Sequence, residues 1–113
     1  MYVMQSTRLE VLADELLTAA RVASSGRSAR TLFGQHEHRL RQTVIALTAG
    51  HRLAEHNSPG EATLQVLRGR AQLITPTQQW TGQAGDHVII APERHELLAV
   101  EDTAVLLTVV SAP

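Results

Sequence analysis

The sequence has no cysteine. That excludes disulfides, thiolate metal sites and a cysteine nucleophile. It has no lysine either, so all ten basic residues are arginine, set against eleven acidic ones. Aromatic residues number three: one Trp, one Tyr and one Phe. The arginines that cluster between Arg21 and Arg41 therefore lack the aromatic interleaving of a nucleic-acid face, and no helix-turn-helix pattern accompanies them. A solvated basic surface is the simpler reading, and no direct nucleic-acid partner is expected.

No apolar run approaches the length of a bilayer span, and no membrane association is expected. The opening residues MYVMQSTRLEVLADELL do not show a cationic segment followed by an unbroken apolar one, which argues against a signal peptide. A cytoplasmic protein is the default expectation. Also missing are a phosphate-cradling glycine loop, a G-x-S-x-G elbow and an H-E-x-x-H pair. Ser58, two residues after His56, has no orienting acid or oxyanion hole in view and does not read as a nucleophile.

What is present suits one globular domain. The chain has 113 residues and is 43% hydrophobic, enough for a single core. The first segment predicts a helix. Ser6 or Thr7 can cap it, and Glu10 three residues after Thr7 fits a capping box. Leu9, Leu12, Leu16, Ala20 and Ala23 form an apolar stripe, and Gly26 is placed to end the helix as its C′ residue.

From Ala29 onward the period changes. Short runs rich in Val, Ile, Leu and Thr predict strands over residues 29–33, 41–48, 52–57, 62–68, 70–75, 79–81, 86–90, 95–100 and 104–110. Turn residues separate them, among them Ser58-Pro59-Gly60, Arg68-Gly69 and Thr75-Pro76-Thr77. The expected division is an N-terminal helix and connector over residues 1–28 and a β-barrel over residues 29–113. The last strand, AVLLTVV, is apolar on both faces. One face can fill the barrel, and the other must meet the helix or a second copy of the chain; a homodimer is the preferred expectation.

Two stretches carry a family pattern. Gly50 opens GHRLAEHNSPGEATLQVLRG and Gly69 closes it; Gly85 opens GDHVIIAPERH. Small single-domain cupins have a first motif G-x5-H-x-H-x3-E-x6-G and a second G-x5-P-x-G-x2-H-x3-N, and this chain resembles the cupin 2 conserved-barrel type over about residues 40–110. The resemblance implies an all-β fold, the cupin double-stranded β-helix (a jelly-roll barrel), here with an N-terminal α-helix. It puts His56 in the first His slot and His95 in the second-motif His slot. Ala91 takes the Pro slot, and the step from Pro92 to His95 is one residue shorter than usual. Ser58 replaces the second His, Ala62 replaces the Glu with Glu61 one residue earlier, and Ala99 replaces the Asn.

Two of four ligands thus survive. Zinc or a non-haem iron site wants at least one more. Glu61 is the nearest in sequence; its side chain faces out if the strand has begun, and swings in if the turn delays it. His51 and the pair His36 and His38 are the other candidates, the pair sharing one face if their segment is a strand, whereas His87 reads as a surface residue. His56 and His95 are read either as paired imidazoles inside the barrel or as ligands of a divalent metal (Zn, Fe, Mn or Ni) completed by Glu61. Leu64, Val66, Val88 and Ile90 are expected to wall the pocket, with Ser58 beside it, and Trp80 to serve as a packing residue. The leading functional reading is a stand-alone cupin that binds a small organic molecule through a His56/His95 pocket. The alternative is a metal-dependent enzyme of dioxygenase or isomerase type. A third reading has it regulating through a partner protein.

Overall fold

A computed structural model describes residues 3–56 and 60–111, with the backbone alone for residues 55 and 56. One helix, α1 (Leu9–Val22), precedes nine strands. These are β1 (Arg27–Phe33), β2 (Leu40–Leu47), β3 (Arg52–His56), β4 (Gly60–Arg68), β5 (Arg70–Ile74), β6 (Gln79–Gln83), β7 (His87–Ile89), β8 (His95–Ala99) and β9 (Thr103–Ser111). The expected strands are all there, shifted by a few residues at their ends. β1 starts at Arg27, ahead of the boundary expected after residue 28.

The strands form two antiparallel sheets. One has the order β1-β2-β9-β4-β7 and the other β3-β8-β5-β6. This is an all-β jelly-roll barrel with an N-terminal helix. The barrel core is the period-two half of each strand: Leu47, Ala62, Leu64, Val66, Leu73, Ile90, Leu97 and Val105 are buried between the sheets.

The second apolar face of β9 is covered by α1. Leu12, Ala13, Leu16, Leu17 and Ala20 are buried against Val44, Ala46, Leu67 and Ala104, with Leu32 and Leu106 at the margin. The helix stripe is wider than the sequence suggested, taking in Ala13 and Leu17. The alternating apolar residues of β9 that called for a partner thus meet the chain's own helix as far as Leu106.

The helix ends differ from expectation. Arg8 is the N-cap residue and makes no side-chain capping bond, so the capping box from Thr7 does not form; the backbone carbonyl of Arg8 accepts from Leu12 N–H at 3.1 Å. At the other end Ala23 is the C-cap, its N–H shared between the carbonyls of Ala19 and Ala20. Gly26 comes three residues later, at a turn into β1. It has φ +69, and a Cβ there would run into the His51 ring. No helix among the described residues is long and apolar enough to cross a membrane.

Candidate functional site

The site is built where β8 begins. Glu93 and His95 are two residues apart, at the mouth of the second motif, and His95 is the first residue of β8. Alternation along β8 turns His95, Leu97 and Ala99 inward, and all three are buried. His95 is 5% exposed and is one of two buried polar residues among those described. Its Nδ1 lies 3.2 Å from the Glu93 carbonyl oxygen. A carbonyl can only accept, so Nδ1 is the donor in this bond.

β3 ends at His56, which is the Cα partner of His95 across the β3–β8 ladder. The register shifts between Leu53 and His56, where β3 takes three steps to the two of β8. That bulge brings the two histidine positions opposite each other. Ser58 lies outside the described residues.

Beside His95 is a cavity of about 20 Å³ lined by Ile45, Leu53, Leu64, Leu73, Ile90, Leu97 and Leu107. Every lining residue except the histidine is aliphatic. The space is near the minimum for one water molecule. Of the expected wall, Leu64 and Ile90 line this cavity. Val66 does not: it is fully buried in the packed core behind it. Val88 does not either, because it faces a separate groove between β6 and β7. Sequence reasoning missed Ile45, Leu53, Leu73, Leu97 and Leu107; each sits at the inward parity of its strand, which the alternation alone would have identified once strand ends were known.

Glu61 does not join the site. β4 begins at Gly60, so strand alternation has already started, Ala62 points into the core and Glu61 is exposed on the outer face opposite Val110. The other histidines sit elsewhere. His51 Nδ1 is 2.9 Å from Thr48 Oγ1, at the surface. The segment with His36 and His38 is a turn rather than a strand, so the shared-face argument does not apply. There the His38 ring stacks on Phe33 with centroids 4.6 Å apart, and its Nδ1 accepts from the Gln35 N–H at 2.9 Å. His87 is exposed at the start of β7. Among the described residues no group of three or more His, Cys, Asp or Glu side chains is placed to hold a metal ion. The described residues therefore do not make up the four-ligand centre of the resemblance.

Glu93 matters for a reason the sequence does not show. Besides orienting His95 through its carbonyl, its carboxylate accepts from Thr77 Oγ1 at 2.7 Å. Hydrogen bonds from Thr77, then Thr75 and Gln78, hold this carboxyl below its usual range. Trp80 is half-buried and packs on the core; a Cβ at Gly82 would overlap its ring, so glycine there makes room for the indole.

No family model matches the sequence, and no curated protein matches it. Solved structures do. A conserved protein of unknown function from Streptococcus pyogenes is 29% identical, with 80% of this chain and 79% of that one covered and a TM-score of 0.71. A cupin superfamily protein from Desulfitobacterium hafniense is 13% identical over 99% of this chain and 97% of that one, with a TM-score of 0.75. A salicylate 1,2-dioxygenase from Pseudoaminobacter salicylatoxidans is 20% identical over 91% of this chain but 34% of its own length, with a TM-score of 0.73. At these identities the agreement is one of fold. Two facing antiparallel sheets, an N-terminal helix and near-complete overlap with a cupin of the same size show that this chain has the fold of a small cupin-type domain.

Proposed function

We propose that the protein binds a small organic molecule inside the barrel, at His95 and His56. The observation that carries this reading is His95 itself. A buried imidazole, its Nδ1–H held by a backbone carbonyl, is the only polar side chain facing an aliphatic cavity among the described residues. An apolar space with one oriented polar group is the usual form of a small-molecule site. With about 20 Å³ free, the wall must move to admit a ligand larger than water.

A screen of small organic acids, alcohols and aromatics by thermal shift tests this. Ligands that raise the melting temperature should lose their effect in His95→Gln, which keeps a polar side chain in the cavity. Ligands that stabilise the variant as well as the parent would sink the reading.

A second reading, a metal-dependent enzyme, has one observation in its favour. A histidine whose Nδ1–H is held by a backbone carbonyl is oriented as metal-bound histidines are. The similarity to a salicylate 1,2-dioxygenase is compatible with it. His95 and His56 would be its ligands, but Glu61 faces away and no third ligand is in place among the described residues, so no reaction step is assigned.

The homodimer remains part of the proposal. β1 is a seven-residue edge strand. Ala29, Thr31 and Phe33 are exposed along it, and an uncovered edge favours pairing with a second chain. Light scattering on the purified protein should give twice the chain mass; a monomer at micromolar concentration removes the dimer. A cytoplasmic location completes the reading and is checked by fractionation.

A further inference from the structure

β6 and β7 follow each other in the chain yet belong to different sheets. The turn over residues 83–86 joins them. It is pinned by Gln83 N–H donating to Asp86 Oδ2 at 2.9 Å and by Gly85 N–H donating to the Val66 carbonyl at 2.8 Å. Away from that turn no ladder links the two strands, and a groove of about 50 Å³ lies between them. Leu73, Trp80, Val88, Ile89 and Ala91 form its apolar walls, with Thr75 and Gln78 at one end. Ile89 is 76% exposed although it is a large aliphatic residue.

Three facts join this groove to the interior. Leu73 lines both the groove and the cavity beside His95, so one side chain separates the two spaces. Across the outside, Thr77 in the turn before β6 donates to the Glu93 carboxylate in the loop after β7 at 2.7 Å, the leading one of the hydrogen bonds that hold this carboxylate. Inside, the same Glu93 positions the His95 ring through its carbonyl.

We infer that this seam is the way into the barrel and an outer subsite for a small, flat, uncharged apolar molecule, closed by the Thr77–Glu93 bond. The inference rests on the interior-binding reading above and deepens it. The class of molecule follows from the walls. Among the described residues no charged side chain lines the groove, so an anion finds no counter-charge there. The half-buried indole of Trp80 offers a ring for edge or stacked contact. Neither space holds an aromatic ring, nor do the two joined at rest, since an apolar cavity on the order of 150 Å³ is what benzene occupies; the unpaired strands β6 and β7 must part as well. A rotamer change at Leu73 joins the spaces and breaks no backbone hydrogen bond, whereas parting paired strands would break several.

The test uses benzene as probe and the full chain, labelled at its methyl groups. Titration should shift the methyls of Leu73, Val88, Ile89 and Ala91 saturably and change the emission of Trp80, the single tryptophan. Thr77→Val keeps the side-chain shape and deletes the hydroxyl, and should tighten apparent binding about two- to tenfold, because the closed form loses one hydrogen bond. Ile89→Asp, at an exposed position, should abolish the groove shifts without unfolding the protein. An absence of groove shifts overturns the seam, and an affinity unchanged in Thr77→Val overturns the latch. Shifts at Ile45, Leu53 and Leu107 without groove shifts overturn the seam while the interior reading stands. Groove shifts without those support the seam as a subsite and sink the interior reading.

Discussion

Arg21 Nε donates to Asp102 Oδ2 at 2.8 Å, tying the last turn of α1 to the β8–β9 turn. Asp102 also accepts from the Ala49 N–H through Oδ1 at 2.9 Å. The Arg21 bond, then the backbone bond, holds the Asp102 carboxyl below its ordinary value of 3.8. A carboxylate depressed on folding contributes stability above its unfolded pKa and loses it as pH falls through the folded value. Both side chains are more than a third exposed, so screening limits the contribution to about 0.5–1 kcal/mol. Asp102→Asn should be destabilised by that amount in urea melts at pH 7, and the gap to the parent should close as the pH is taken below 3. A gap independent of pH would show that the carboxylate's charge does not carry the effect.

Gly69 and Gly50 make a paired test of backbone and space. Both have positive φ, +79 and +84. A Cβ at Gly50 meets nothing, whereas one at Gly69 overlaps the Asp102 carbonyl oxygen. Gly50→Ala should cost about 1 kcal/mol, from the left-handed backbone. Gly69→Ala should cost at least about 2 kcal/mol, since the β8–β9 turn has to shift as well. Equal losses in chemical denaturation would refute the role of the contact.

The helix is held by its buried face. Leu16 is 6% exposed within the outer core. Leu16→Ala should lose about 2–5 kcal/mol, and Val22→Ala, at an exposed position on the same helix, should change stability by less than about 0.5 kcal/mol. A small loss at Leu16 would mean that the barrel holds without the helix docked.

For metals, the donor set described above predicts weak binding. A true site at a hundredfold excess over its Kd adds about 2.7 kcal/mol, roughly 10–20 °C in Tm for a domain of this size. Millimolar Zn, Mn or Ni should move the Tm by much less. A saturable rise of that order, lost in His95→Ala, would restore the metal-dependent reading.

The strands were legible in the sequence because their apolar runs are short and bounded by turn residues. Gly50, Gly69 and Gly85, which frame the two motifs, all take positive φ. His95 was legible as an inward residue. Three things were not. The cap of α1 is a backbone affair at Arg8, which no side-chain signature marks. The orientation of Glu61 hung on one residue of strand onset, and a strand that starts at Gly60 sends it outward. Val66 and Val88 share the inward parity of Leu64 and Ile90, yet depth along the barrel puts one in solid core and the other in the seam. Parity along a strand can be read from a sequence; depth depends on how the two sheets face each other.

The order of the larger sheet bears on how the protein is made. β9 lies between β2 and β4, so the central strand of that sheet is contributed by residues 103–111. The floor on which α1 rests includes Ala104 of that strand. The helix, which precedes every strand in chain order, thus completes its seat only when the last strand is in place. Until β9 arrives, the floor under α1 is incomplete and the facing edges of β2 and β4 stay unpaired, which makes the nascent chain a natural client for a holding chaperone.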